Sequence, residues 1–87
     1  HPIKMQGPLT MTVDFMMPRP KAHYGSKGLK SNAPYYHEKK PDIDNLIKAL
    51  CDALTGILWD DDTQISVLLA TKKYSEVAGI KLYIQEV

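Results

Sequence analysis

Cysteine is almost absent from this sequence: Cys51 is the single one among 87 residues. A lone cysteine cannot form an intrachain disulfide, which excludes a disulfide-stabilised scaffold and favours a reducing, cytoplasmic environment. Its neighbours Leu50, Ala53 and Leu54 are apolar, so we predict that Cys51 is a small residue of the core. The sequence also lacks a run of about 18 apolar residues and a signal-peptide pattern, so we expect no membrane segment.

Motifs for zinc, calcium and nucleotides are missing as well. The histidines, His1, His23 and His37, do not have the spacing of zinc ligands, and no second cysteine assists them. An EF-hand needs a D-x-D-x-D-G order followed by a glutamate, which the sequence does not contain. Neither a Walker loop nor a G-x-G-x-x-G turn is present, which argues against a nucleotide cofactor.

The overall charge is close to neutral, at +1, but its distribution along the chain is uneven. Segment 19–40 carries six basic residues against one acid, Glu38, whereas segment 42–62 carries six aspartates against one base, Lys48. A basic segment beside an acidic cluster suits an enzyme that binds a polyanion and a metal cation together. From charge alone, a solvated loop beside a capped helix is an equal alternative. The candidates for binding nucleic acid are Arg19, Lys21, His23, Lys27, Lys30, Lys39 and Lys40.

Alternation of apolar and polar residues predicts the first strand. It extends over residues 9–16, with the period of two that is typical of a half-buried strand. Pro18 and Pro20 should end it, since proline lacks the N–H that a strand ladder requires. Residues 19–40 contain glycines and serines without sustained periodicity, so we predict a long mobile loop there.

A helix is predicted over residues 43–55, where apolar residues recur at steps of three and four. Asp42 is the expected N-cap, with a carboxylate that accepts an N–H of the first turn. Gly56 follows, as the left-handed residue that often ends a helix. Strands are predicted over residues 65–74 and 80–84, joined by a turn. We therefore expect a single α+β domain over residues 1–87, in the order β, long basic loop, α, β, β, with one main helix packed on a small sheet.

Acidic residues and one lysine around the helix start form the candidate site. Asp44, Lys48 and Asp52 recur at four-residue steps and so share one polar face. Asp42 stands at the N-terminus, where the helix dipole favours an ionised carboxylate. Mg²⁺ typically binds one or two protein carboxylates, and water and phosphate oxygens complete its shell. We therefore predict a Mg²⁺ site built from Asp42, Asp44 and one aspartate of segment 59–62.

Each of these residues also has a structural interpretation. Asp42 alone is more often a helix cap than a ligand, and Lys48 could pair with Asp44 or Asp52. Aspartates 60–62 would usually form a solvated turn. The combination, and no single residue, favours a metal site.

The aromatic residues allow two interpretations. His23 and His37 each stand beside tyrosines, and such groups either stack on nucleic-acid bases or pack within the loop. Trp59 is expected to anchor the exit of the helix on the core, which would also orient the aspartates that follow it.

These residues resemble the signature of a known family. Residues 40–48 read KPDIDNLIK, residues 52–56 read DALTG, and residues 59–65 read WDDDTQI. Together they resemble the RusA family of Holliday-junction resolvases, phage-derived crossover-junction endodeoxyribonucleases. Residues 18–23, PRPKAH, resemble a further family stretch, with Ala22 where serine is usual. The similarity extends from about residue 9 to residue 84.

The resemblance implies roles for individual residues. Asp42 and Asp44 match the paired metal-binding aspartates, and Lys48 matches the catalytic lysine. Asp62 matches the third catalytic aspartate, with Asp61 as a neighbouring ligand. The family implies Mg²⁺ or Mn²⁺ as cofactor, a homodimer, four-way junction DNA as substrate, and a cytoplasmic protein of bacterial or phage origin. It also implies a further strand region before residue 1.

The sequence therefore predicts metal-dependent hydrolysis of DNA phosphodiesters, with paired nicks that resolve a junction during recombination and repair. Two other functions stay open. A branched-DNA-binding domain without catalysis would use the basic loop alone. A small metal-dependent phosphatase acting on nucleotides would need a pocket and have little use for the basic loop.

Overall fold

The computed structural model describes residues 3–87, so His1 lies outside the described residues. It contains one main helix, α1, with the bounds Ile43–Leu54. The strands are β1 (Leu9–Pro18), β2 (Tyr24–Gly25), β3 (Gly28–Leu29), β4 (Ile65–Ser75) and β5 (Gly79–Glu86). The predicted α+β class and order are confirmed, with the small β2–β3 sheet as an addition.

The main sheet is mixed, with the strand order β4-β1-β5. β1 runs parallel to β4 and antiparallel to β5. A parallel pair requires a crossover connection, which here contains α1. β4 and β5 follow each other in the chain but do not pair, because the connection of residues 76–78 passes across the end of β1 at Pro18. β1 is thus the central strand.

The core lies between the sheet and α1. Leu9, Met11, Val13 and Phe15, the apolar residues of the alternating pattern in β1, are at most 2% exposed. The apolar stripe of α1 packs against them through Ile43, Leu46, Ile47, Leu50 and Leu54.

The end of α1 is secured as the sequence predicts. Cys51 is buried, and Trp59 is 0% exposed. The indole Nε1 of Trp59 donates to Thr55 Oγ1 at 3.1 Å, and that hydroxyl donates to the Cys51 carbonyl at 2.7 Å. Gly56 has φ +87°, the left-handed conformation that ends the helix. Both the core position of Cys51 and the anchoring by Trp59 are confirmed.

The predicted long loop over residues 19–40 contains short elements that the sequence did not predict. A short 3-10 helix covers Lys21–His23, and β2 and β3 form a hairpin after it. Farther along, Tyr36 forms an antiparallel bridge with Lys73 on the free edge of β4. These pairings satisfy backbone N–H and C=O groups of the segment. The periodicity of the sequence did not predict them.

The helices of residues 3–87 include none that is long and apolar enough to cross a membrane.

Candidate active site

Asp42 and Asp44 line one cleft at the start of α1. The cleft has a volume of about 480 Å³ and is also lined by His37, Glu38, Lys39, Ile43 and Lys72. The two carboxylates come together because one residue precedes the helix and the other belongs to its first turn. The helix dipole favours negative charge at this end.

The Asp42 carboxylate does not cap the helix, contrary to the prediction. Asp42 is the N-cap residue, with extended backbone angles, but its side chain accepts no capping hydrogen bond. Only its backbone carbonyl is used, accepting from the Leu46 N–H at 3.2 Å. Among residues 3–87, neither Asp42 nor Asp44 forms a side-chain hydrogen bond or an ion pair. Both carboxylates are therefore available to a ligand from outside the chain.

Lys48 stands one helical turn after Asp44 and is exposed. Within the described part of the chain its ammonium has no carboxylate within 4.0 Å, so the predicted alternative of a helix salt bridge with Asp44 or Asp52 is not formed. Like the two carboxylates, its charge is available for a substrate.

The aspartates after Trp59 have different surroundings. Asp60 pairs with Lys4 at 3.1 Å. Asp61 caps a short 3-10 helix, where its carboxylate accepts the Thr63 N–H at 3.0 Å. This hydrogen bond lowers the pKa of Asp61. Because the Asp61 carboxylate already has a local partner, its role as a metal ligand is the less favoured one.

Gln64 stabilises the same turn. Its side-chain oxygen accepts the N–H groups of Asp60 and Asp61, each at 3.0 Å. Its amide nitrogen donates to the carbonyls of Met5 and Gly7. The glutamine of the WDDDTQI run thus ties this turn to the chain before β1.

Asp62 does not line the cleft with Asp42 and Asp44. Burial first, and then the charges of Asp62 and Asp52, raise the pKa of the Cys51 thiol. No three His, Cys, Asp or Glu side chains in residues 3–87 are grouped closely enough to bind a metal ion together. The single chain brings together two of the three predicted carboxylates.

The donor set in the cleft still fits a magnesium or manganese ion. Two unpaired carboxylates are what Mg²⁺ usually takes from a protein, because water and phosphate oxygens supply the other positions. Asp42 and Asp44 are the residues that would hold such an ion.

Two of the predicted nucleic-acid-binding residues are used within the chain. The Arg19 guanidinium donates to the Pro34 carbonyl at 2.8 Å and lies over the Tyr74 ring. His23 meets the same ring edge-on, with centroids 4.7 Å apart. The remaining candidates are exposed and suited to contact phosphates: Lys21, Lys27, Lys30, Lys39 and Lys40.

His37 and Lys72 line the cleft and were not predicted as site residues. Burial, together with the nearby charge of Lys72, lowers the pKa of His37, which favours its neutral form. Lys72 is opposite Phe15 in the β1–β4 register, so it lies on the helix-facing side of the sheet. The sequence signal that could have identified Lys72 is a lysine at a strand position whose side chain faces the helix.

Comparison with known proteins identifies the family of the chain. The family model described as "Endodeoxyribonuclease RusA" matches residues 1–85. The chain belongs to the RusA family. This confirms the resemblance on which the residue assignments rest.

A relative of this RusA-family chain is the Bacillus subtilis (strain 168) protein named "Uncharacterized protein YqaN". The two are 37% identical over 84 residues, which is 93% of the chain and 59% of the relative. The chain therefore spans about three fifths of the relative's length. No solved structure matches the chain.

Proposed function

We propose that this protein is a Mg²⁺-dependent endodeoxyribonuclease, with Mn²⁺ as a possible substitute, that resolves four-way DNA junctions. One observation carries the proposal: in a RusA-family chain, Asp42 and Asp44 line one cleft with no side-chain partner among the described residues. The Asp42 carboxylate forms no capping hydrogen bond, so the helix start does not occupy it. Carboxylates are the natural ligands of a hard cation.

In this proposal Asp42 and Asp44 hold the ion, and Asp62 completes its ligands. The chemistry that a bound divalent ion supplies is polarisation of the scissile phosphate and a more acidic water. Asp62 is assigned from the family motif, although it does not line the cleft. Lys48, assigned from the family motif, would stabilise the negative charge that develops on the phosphoryl oxygens.

The exposed lysines of segment 19–40 would contact backbone phosphates. Lys27 and Lys30 belong to the β2–β3 hairpin region, and Lys39 lines the cleft itself. Contacts of this kind position DNA without reading its sequence, and they weaken as salt increases. Recognition of a junction would then depend on DNA shape.

A homodimer is part of the proposal because a four-way junction presents two equivalent strands. The sheet face opposite α1 supports it. Leu69 and Tyr83 flank Thr12 on this face and are 63% and 64% exposed. Val67, two positions before Leu69, is 56% exposed. Exposed apolar residues on one face are typical of a protein interface.

Cleavage of a synthetic four-way junction tests the enzymatic proposal. With Mg²⁺ the wild-type protein should make paired nicks, and EDTA should abolish them. Asp44→Asn removes a metal ligand, so cleavage should be lost while junction binding persists. Asp52→Asn is the matched control, because it removes the same charge two turns along the same helix.

Other outcomes would support the alternatives. Metal-independent binding without any cleavage by the wild-type protein would favour a branched-DNA-binding domain. Hydrolysis of nucleotides that survives loss of the exposed lysines would favour a small phosphatase. Normal cutting by Asp44→Asn would show that the site assignment is wrong.

A further inference from the structure

Lys72 connects β4 to the segment that presents the first carboxylate of the site. Its ammonium donates to the carbonyl of Lys39 at 2.5 Å and to the carbonyl of Pro41 at 2.7 Å. These two acceptors lie on either side of Lys40, and the second belongs to the residue before Asp42. One side chain thus holds both ends of a three-residue stretch.

The backbone of Lys72 holds the same segment. Its carbonyl accepts the His37 N–H at 3.0 Å, and the Tyr74 N–H donates to the Tyr35 carbonyl at 2.9 Å. Residues 35–37 are therefore attached to the edge of β4, and residues 39–41 are attached to the Lys72 side chain. The chain that enters α1 is positioned by β4 and not by a helix cap, since the Asp42 side chain forms no capping bond.

The position of Lys72 in the strand explains how one residue reaches so many acceptors. Opposite it in the sheet is Phe15, which is 2% exposed, so the stem of Lys72 projects toward the helix side over apolar surface. Its ammonium then emerges in the cleft that Asp42 and Asp44 line. Hydrogen bonds from a charged donor are among the stronger ones in proteins.

We propose that Lys72 is a positioning residue of the metal site, and the inference rests on the proposed function. By fixing residues 39–41 it sets the orientation of Asp42 relative to Asp44, so that both carboxylates are ready to bind one ion. Residues that orient metal ligands from behind typically change metal affinity by about ten- to a hundredfold when lost.

The direction in which metal affinity changes distinguishes positioning from a simple effect of charge. An ammonium near a cation site repels the cation, so its removal should tighten metal binding if Lys72 acts only through its charge. A positioning role predicts that removal weakens metal binding, because Asp42 is no longer held in place. The sign of the change therefore separates the two roles.

The experiment measures Mn²⁺ affinity of the full chain without DNA, by calorimetry or by electron paramagnetic resonance. Lys72→Met keeps the length of the side chain and removes the donors, and we expect the Kd for Mn²⁺ to rise about tenfold or more. Lys72→Arg keeps charged donors and should restore most of the affinity. Lys73→Met is the control on the opposite face of β4, where its ammonium lies 3.7 Å from Asp14, and should leave the Kd unchanged.

Asp44→Asn, measured in parallel, distinguishes failure of the inference from failure of the proposed function. If Asp44→Asn weakens Mn²⁺ binding and Lys72→Met does not, the positioning role is wrong and the metal site stands. If neither changes the affinity, the metal site itself is wrong. Should Lys72→Met not fold, Lys72→Ala, which also removes the donors to the Lys39 and Pro41 carbonyls, replaces it, and an unchanged or lower Kd overturns the positioning role in the same way.

Discussion

The guanidinium of Arg19 lies 5.3 Å from the centroid of the Tyr74 ring. Tyr74 is 8% exposed at the end of β4, and its ring also contacts His23 and His37. The basic segment 19–40 is therefore attached to the sheet around one tyrosine. Its residues differ in function for this reason: Arg19 stabilises the fold, whereas exposed lysines are available to DNA.

Arg19→Ala should destabilise the protein. It removes a hydrogen bond to the Pro34 carbonyl and a cation–π contact, so we expect the free energy of unfolding to fall by about 1–2 kcal/mol in urea denaturation. Lys27→Ala is the control, because an exposed lysine should change stability by less than about 0.5 kcal/mol. Lys27→Ala should instead weaken junction binding and its salt dependence. Equal stability of the two variants would contradict the structural role of Arg19.

Lys48→Ala should slow the chemical step more than it weakens binding. Lys48 has no carboxylate partner among the described residues, so its removal should leave the helix intact while it removes the charge that we propose to act on the reacting phosphate. We expect the single-turnover cleavage rate to fall roughly a hundredfold, as when one stabilising donor of a transition state is removed. Lys81→Ala on β5 removes an equal charge elsewhere. An unchanged rate for Lys48→Ala would leave that lysine without a catalytic role.

Leu69→Lys should dissociate the proposed dimer. Leu69 is 63% exposed on the sheet face opposite α1, so a lysine there fits the monomer but places like charges across a two-fold interface. Sedimentation equilibrium should show a dimeric wild type and a monomeric variant. Ile57→Lys is the matched control, at a residue that is 60% exposed in the turn after α1. A variant that remains dimeric would place the interface on another surface.

Local patterns predicted most element boundaries because they depend on local geometry. The alternation that begins at Leu9 gave a strand that ends at Pro18, where the N–H needed for pairing is missing. The stripe on α1 and Gly56 placed the helix end within a residue. The pairing of residues 35–37 within the predicted loop was missed because their hydrogen bonds go to β4, a partner more than thirty positions away.

The candidate site also combines features that local sequence predicts with features that depend on contacts between distant residues. Asp42 and Asp44 lie two positions apart at the start of α1, one before the helix and one in its first turn, and both line the cleft, as the sequence led us to expect. The position of Asp62 cannot be predicted from the sequence. The orientation of segment 58–62 depends on the cap by Asp61 and on the contacts of Gln64 with Met5 and Gly7. Lys72 enters the site only through the position of β4.

The amino-acid sequence by itself determined the family, the main helix, the three long strands and a pair of carboxylates at the start of α1, since steric preferences and the period of burial act between near neighbours. The tertiary structure alone decided that β1 lies between β4 and β5, that Arg19 packs on Tyr74, and that Lys72 reaches the carbonyls beside Asp42. Such contacts join residues far apart in the chain. They are selected by how the whole sheet and helix pack together, which no local pattern records.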